Sequence, residues 1–535
     1  MFFVRRPYLA PVIILFAVSL LYGWFLNSPI QFDDFNNFMP GAPGKFPANL
    51  GVHPRHLTYV TLILSWDLFG TGIVSLRVTS LLMHAGVAIA LFFFLRQIQQ
   101  VMKFEIVDNS AVFLSLLAAL VFALHPVAVY GAAYLIQRTI VMATLFSILS
   151  WWFFLRGLEK GMRAWLWAGV AMYALAVLCK EHAVMVPAIN AVLAIWWWRT
   201  QIVREKFTLL MQRLGLVLVS YFLITLWVVL QPRETFGSVY ELDALDMLRS
   251  IPQWAAWPLS VITQGTLFFK YLVLWILPNP VFMSVDMRET FTTSFAMWPQ
   301  LLGFIVFLIW PCFAGYLVWK GGRRGLLGFA MLAPWLLFAT ELTTVRVQEV
   351  FVLYRSYLWV PPAFCVILLL QPLLKIRTIS MLLLIVPIIL FPLSWDRLKT
   401  FSHPLLLWDD AMRLIEIRHD LDGLTRIYYN RGMAWHALKR FDLAIADYTV
   451  AINSRKNIPT IYVNRGSALL ELKRYKEALT DFDFALTINP KDAFALTGRG
   501  IALTALDKPD DARLSFQAAC PLGSNFACNK IKETK

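Results

Sequence analysis

The sequence predicts an all-α protein: a polytopic membrane bundle of about eleven crossing helices, followed by a C-terminal helical solenoid. Three observations predict it. Apolar residues make up 59% of the 535 positions and charged residues only 15%, with a mean hydropathy of +0.62. Soluble domains run near roughly 45–50% and 25%, so most of this chain belongs in lipid. Apolar runs close to the ~20 residues that cross a bilayer core recur through residues 1–394. From residue 395 the chain turns charged and amphipathic, with an internal period of 34 residues. These features exclude a soluble enzyme, a disordered chain and a disulfide-rich secreted domain.

The net charge is +15, from 48 Lys and Arg against 33 Asp and Glu. In a membrane protein such an excess belongs to cytoplasmic loops. No basic stripe carries interleaved aromatics, so nucleic acid is not an expected partner. The 21 Trp and 17 Tyr suit interfacial belts. The five Cys include no CxxC pair, which argues against a zinc or thioredoxin-like site.

Residues 8–26 form the first span, with Arg5 and Arg6 before it, so its start is expected in the cytoplasm. No small-residue cleavage site follows, which reads as an anchor. Further spans fit 76–95, 111–125, 138–155, 164–179, 183–198, 209–230, 297–318, 325–340, 357–371 and 379–394. The cytoplasmic connections then carry Arg96 and Lys103; Arg156, Lys160 and Arg163; Arg199, Arg204 and Lys206; Lys320, Arg323 and Arg324; Lys375 and Arg377. The outer connections are longer yet less basic, and the odd count places the C-terminus outside. Residues 57–69 read as an amphipathic helix in the outer interface. Residues 251–277, interrupted by Pro252, Pro258 and Gly265, read as a re-entrant or interface-lying pair with both ends outside.

In the C-terminal part, Gly432, Gly466 and Gly500 are 34 residues apart. Ala444, Ala478 and Ala512 keep that spacing, as do Tyr448, Phe482 and Phe516, and Ala451, Ala485 and Ala519. Small residues where two helices approach, with an aromatic on the second helix, are the tetratricopeptide (TPR) pattern. The expected domains are a membrane domain at 1–394 and a solenoid at 395–535, with repeats at 425–458, 459–492 and 493–526 and a cap helix within 403–424. Such solenoids offer a concave groove, and a protein partner is the expected ligand; a structural cap or dimerisation arm is the plainer alternative. Cys520 and Cys528 either pair outside the cytoplasm or stay as two buried thiols.

Polar groups collect at the outer ends of the spans. The first outer loop, IQFDDFNNF, holds Asp33 and Asp34. A carboxylate there can take a proton from an acceptor hydroxyl at the membrane surface; the plain alternative is a solvated turn. The second outer turn holds His125, Tyr134, Gln137 and Arg138, and the third holds Lys180, Glu181 and His182. The late loop holds Arg346, Gln348, Glu349, Arg355 and Tyr357. Arg and Lys at one membrane face can clamp a phosphate, although snorkelling explains most basic residues near span ends. Lys180 and Glu181 can also simply neutralise each other. His84, inside a span, either bonds a neighbouring helix, the favoured reading, or lines the site, and Asp286 is a weaker candidate. No Walker loop, dinucleotide glycine pattern, HExxH or GxSxG occurs, which disfavours nucleotide hydrolysis, hydride transfer and zinc or serine proteolysis. No cofactor is assigned: a divalent metal is unsupported, because no closed ligand set occurs and two adjacent carboxylates are not enough.

These residues, in order, carry a resemblance. The chain resembles the transmembrane-and-TPR glycosyltransferases of the GT-C superfamily, the TMTC-type O-mannosyltransferases and their bacterial relatives. FDD resembles the paired acidic residues of that family's first lumenal loop. HPRHLTYVTLILSWDLFG followed by SLLMH resembles its Arg-Pro, amphipathic helix and Leu-Leu-His run, although the order here is Pro54-Arg55. HPVAVYGAAYLIQR resembles its His-Pro to Gln-Arg stretch, with Tyr130 and Gly131 where an acidic residue is common. CKEHAVMVP resembles the Lys-Glu turn, LYRSYLWVPP the Arg-Tyr-Leu-Pro element, and RLKTFSHPLLLWDDAM the join to the solenoid.

The resemblance implies a GT-C-like membrane domain and a polyprenyl-phosphate-linked sugar as donor. It implies Asp33 or Asp34 as the catalytic carboxylate, with Arg138, Lys180 and Arg355 near the donor phosphate. Arg55, His125, Glu181 and His182 complete the expected substrate-binding set. The function expected is sugar transfer to an acceptor hydroxyl, on a protein engaged by the TPR array, at the non-cytoplasmic face. The alternatives are a glycan ligase, a lipid-modifying transferase or a non-catalytic scaffold for envelope proteins. The setting expected is a bacterial inner membrane, with the N-terminus cytoplasmic and the solenoid periplasmic.

Overall fold

The computed structural model describes residues 9–31, 53–70, 72–103, 110–201, 206–231, 251–347, 349–417 and 424–533. The regular elements among them are helices, and the extended pairing is one isolated bridge, Met287 to Phe351. The protein is all-α. It divides into two compact units, Met1–Ser402 and His403–Lys535.

Backbone in hydrocarbon finds no water, so each apolar run must bond to itself and becomes helix. In the first unit these are α1 (Leu9–Tyr22), α2 (His56–Phe69), α3 (Ile73–Val101), α4 (Ser110–Ala123), α5 (Pro126–Ala132), α6 (Arg138–Lys160), α7 (Arg163–Cys179), α8 (Val186–Thr200), α9 (Phe207–Val229), α10 (Gln253–Ile276), α11 (Gln300–Lys320), α12 (Gly322–Phe338), α13 (Ser356–Trp359) and α14 (Ile376–Thr400). Among the described residues, seven helices are long and apolar enough to cross a membrane, or nine if each of two pairs bent by 63° is one span. Leu9–Phe25 and Arg163–Cys179 are apolar but shorter. The chain is a multi-pass membrane protein.

Helix α6 lies at the centre, packed on α3, α7 and α8 and burying Trp151, Phe154 and Leu155. Gly161 ends it at φ 67°, a left-handed cap that a residue with a Cβ rarely adopts. The α4–α5 bend has a local cause. Pro126 starts a new helix at its first position, and His125 Nδ1 accepts from Val127 N at 3.2 Å.

The connections sort into two faces. On one, Arg199 Nε donates to Trp319 O at 2.6 Å, Gly322 N to Thr200 Oγ1 at 2.9 Å, and Trp197 Nε1 to Glu159 Oε2 at 2.9 Å. On the other, the start of α2 and the turns after α7 and α12 meet.

Residues 251–277 differ from the expected broken pair. They form one continuous helix, α10, with Pro252 as its N-cap and Pro258 inside it. Gly265 is a packing position, not a break: a Cβ there would meet Phe304 at 2.9 Å. The helix runs alongside 342–356: Trp257 Nε1 donates to Leu342 O, Gln264 Nε2 to Val350 O, Tyr271 OH to Val352 O and Trp275 Nε1 to Ser356 Oγ. The bonds advance in step along the helix and along this largely extended run, and the length and apolarity of α10 suit a crossing.

The second unit is a TPR solenoid. α15 (Pro404–Ile417) precedes the hairpins α16 (Thr425–Ala437) with α17 (Phe441–Ser454), α18 (Pro459–Glu471) with α19 (Tyr475–Ile488), and α20 (Ala493–Ala505) with α21 (Pro509–Ala519); α22 (Asn525–Glu533) closes it. The repeated columns meet in space. A Cβ on Gly432, Gly466 or Gly500 would touch the ring of Tyr448, Phe482 or Phe516 at 2.7, 2.9 or 2.4 Å. Arg431 and Arg465 each fork onto a carboxylate of their own hairpin, Asp447 and Asp481. Cys520 and Cys528 are joined as a disulfide, which ties the end of α21 to α22.

Gly328 tests the packing. Its Cβ would lie 2.5 Å from Ala314 O and from Val318 N, both rigid backbone of α11. Gly328→Ala should lower stability by about 1–3 kcal/mol, whereas Gly215→Ala on α9, with open space around it, should raise it by about 0.5–1 kcal/mol. Thermal unfolding of both in one detergent checks this.

Candidate functional site

Helix α7 stops at Cys179 because Lys180 is extended, at φ −158° and ψ 133°. A 3-10 turn, Glu181–Met185, then leads into α8. Three titratable residues thus stand in a row where one helix hands over to the next. Arg55 opens α2 at φ 77°, an unusual conformation for a non-glycine residue and one that collects at functional sites. Its guanidinium forks onto Glu181, Nε to Oε2 at 3.1 Å and Nη2 to Oε1 at 2.5 Å.

The partner the sequence reading missed is Glu341, in the turn after α12 and 3% exposed. Its Oε1 lies 3.5 Å from His182 Nε2, and its Oε2 lies 3.4 Å from Arg346 Nε and 3.6 Å from Arg355 Nε. Arg355 also donates to Glu349, at 3.0 Å to the carbonyl and 3.4 Å to the carboxylate. A carboxylate at the end of an apolar run was the available signal, since a charge near lipid is rare unless paired.

Lys180 is 8% exposed. Among the described residues it makes no ion pair, and its Nζ lies 5.9 Å from the centre of the Tyr354 ring. Burial pulls its ammonium down to about 8, and Arg55 and Arg355 add to this against Glu181 and Glu341. His182 is pulled down to about 4, by burial first, so it is neutral at pH 7. Burial pushes Glu181 up, but Arg55, His182 and Lys180 outweigh it and hold the carboxyl well below the usual range. The result is an ion-paired cluster, partly exposed at Arg55 and Glu181 and buried at Glu341, with one buried cation left to attract an anion.

Of the residues singled out in the sequence, Arg55, Lys180, Glu181, His182 and Arg355 converge here. His125 lies beside the cluster: its ring stacks on Trp275 at 4.3 Å, and Trp275 bonds the Ser356 hydroxyl next to Arg355. Arg138 does not join them. Its guanidinium donates to Ser80 Oγ, Thr61 O, Ser65 Oγ, Leu76 O and Thr79 Oγ1, which makes it a tie between α2 and α3. Asp33 and Asp34 lie outside the described residues. His84 bonds the Tyr357 hydroxyl at 2.6 Å and the Ala123 carbonyl at 3.0 Å, a helix-to-helix role. Asp286 pairs with Arg288 at 2.9 Å. Where Gly131 stands, a Cβ would be 2.6 Å from the Tyr357 ring, and Tyr130 OH lies 3.4 Å from Arg397 Nη1. Among the described residues no group of three His, Cys, Asp or Glu is placed to hold a metal.

The tetratricopeptide repeat model matches residues 459–492. The chain is also similar to the human protein O-mannosyl-transferase TMTC4, 28% identical over 154 residues, which is 26% of this chain and 20% of that protein. The chain therefore matches a fifth of the length of this curated relative. Among solved structures, the Arabidopsis OM64 TPR domain is 29% identical, covering 20% of this chain and 92% of its own, with a TM-score of 0.20. The first TPR domain of human RPAP3 is 26% identical, covering 21% and 88%, also at 0.20.

Glu341→Gln strips the shared carboxylate from Arg346 and Arg355 and should cost about 3–5 kcal/mol; Lys180→Met removes a buried cation with no carboxylate partner among the described residues and should raise the unfolding temperature. Thermal unfolding of both at pH 7 reads these opposite signs. The buried histidine sets a pH effect. Because His182 titrates lower folded (about 4) than unfolded (6.5), the unfolded chain binds the proton first. Stability is full above 6.5 and is lost as pH falls towards 4. Unfolding temperatures of wild type and His182→Asn across that window should show the variant with the shallower decline.

Proposed function

We propose that the protein is a membrane glycosyltransferase that moves a sugar from a polyprenyl-phosphate donor to an acceptor hydroxyl. The observation that carries this reading is Lys180: a buried ammonium without a carboxylate partner among the described residues, beside Arg55 and Arg355 at one face of the bundle. An anionic leaving group is the chemistry such a cation serves. The partial likeness to a protein O-mannosyl-transferase supports the same reaction class.

In the proposed step the acceptor oxygen attacks the anomeric carbon as the bond from that carbon to the phosphate oxygen breaks. The hydroxyl proton passes to Asp33 or Asp34, and the electron pair leaves with the lipid phosphate, steadied by Lys180 and Arg355. Glu341 keeps Arg346 and Arg355 in place, and Glu181 does the same for Arg55. The reaction inverts the anomeric centre. His125, through Trp275, supports the wall next to Arg355. Arg138 supports the frame and not the phosphate.

The basic connections Lys160 and Arg163, Arg199, and Arg323 and Arg324 belong to the opposite face, which we read as cytoplasmic. The reaction then sits on the non-cytoplasmic side of a bacterial inner membrane, with the solenoid in the periplasm. The disulfide in the solenoid suits an oxidising compartment. The TPR array recruits the acceptor protein. The boundary expected at 394/395 would cut α14, so we assign 1–402 to the membrane domain and 403–535 to the solenoid.

Transfer from a radiolabelled polyprenyl-phosphate sugar to envelope protein, in membranes carrying the chain, tests the proposal. Asp33→Asn or Asp34→Asn should lose about 10²–10⁴-fold of the rate while the other retains most of it. Full transfer by both variants would contradict the carboxylate assignment.

A further inference from the structure

The exit of α1 is held in an unusual way. Arg77, on α3 and 6% exposed, spreads its guanidinium over three main-chain carbonyls. Nε donates to Ser28 O at 3.1 Å, Nη2 to Pro29 O at 2.8 Å, and Nη1 to Ala133 O at 2.8 Å. Two residues on, buried Gln31 donates from Nε2 to Phe401 O at 3.3 Å. Residues 28–31 are thereby fixed against the end of α5 and against 401, from opposite ends of the sequence.

The end of α5 belongs to the neighbourhood of the cluster. Gly131 lies against the Tyr357 ring, and Tyr134 faces Tyr354 at 6.2 Å, the same Tyr354 that Lys180 approaches. A helix needs no arginine at this position to pack; an apolar side chain would do so without desolvating a charge. A planar fork does something else: it sets direction as well as distance for every group it binds, which the point charge of lysine does not.

We propose that Arg77 is a positioning residue for the transfer reaction: it clamps residues 28–31 to the end of α5, and so fixes where the chain that continues into Asp33 and Asp34 departs. The inference rests on the sugar-transfer reading. Arg77 touches neither substrate nor reacting atoms; it acts through the backbone of Ser28 and Pro29. Because a misplacement of about 1 Å can cost 10²-fold in rate, a clamp of this kind affects turnover more than binding of the donor.

The test uses the full chain in nanodiscs, as wild type, Arg77→Lys and Arg77→Met, with two readouts. The first is steady-state transfer, normalised to folded protein by size exclusion. The second is cleavage within residues 32–52 by proteinase K. The clamp predicts that kcat falls by about 10²-fold in Arg77→Met, with the donor KM within about twofold and faster cleavage. Arg77→Lys, which keeps the charge and loses the fork, should lie between. Unchanged kcat in both variants, or a loss carried by donor KM alone, overturns the positioning role. Unchanged cleavage overturns the clamp. A wild-type chain that transfers no sugar ends the catalytic meaning and the sugar-transfer reading together, while cleavage still decides whether the clamp exists.

Discussion

One buried carboxylate governs the site-bearing face of the membrane unit. Glu341 faces His182, Arg346 and Arg355 at once, and so joins the turn after α7 to the connection between α12 and α13. Charges near lipid are rare unless paired, so the shared carboxylate ties the two segments together. Arg55 and Glu181 extend the same logic to the start of α2. Four cations, Arg55, Lys180, Arg346 and Arg355, then stand with three carboxylates, Glu181, Glu341 and Glu349, among the described residues. The carboxylates hold the arginines, and the lysine stays available.

The solenoid was the most legible part of the sequence, for a physical reason. Each TPR hairpin must let a glycine of its first helix meet an aromatic of its second, so the contact repeats at one spacing. Gly432 with Tyr448, Gly466 with Phe482 and Gly500 with Phe516 are that contact three times. The membrane helices were legible because an apolar run in lipid has few other options. Each of the eleven expected spans corresponds to helix in the structure, α4–α5 and the stretch after Arg355 with a sharp bend.

What sequence alone misplaced depended on contacts between distant segments. Prolines 252 and 258 read as breaks, yet one is a cap and the other is carried inside α10, whose side chains bond a run 81 to 86 residues later. Arg138 had the right type and the right turn for a phosphate ligand. Only the hydroxyls of Ser65, Thr79 and Ser80, on two other helices, show where its donors go. Glu341 belonged to no motif, and its role comes from three partners that are not its sequence neighbours. Tyr130 stands where the resembling family commonly has an acid, and here it meets Arg397 through a hydroxyl.

In the proposed reaction Lys180, the cation left over at this face, binds a lipid-linked phosphate. Affinity of the full chain in nanodiscs for farnesyl phosphate and for farnesol, by native mass spectrometry, tests it most directly. The phosphate form should bind about tenfold tighter or better, and Lys180→Met should remove the difference without unfolding the protein. Equal binding of the two lipids, or a preference for phosphate that survives in Lys180→Met, would contradict it.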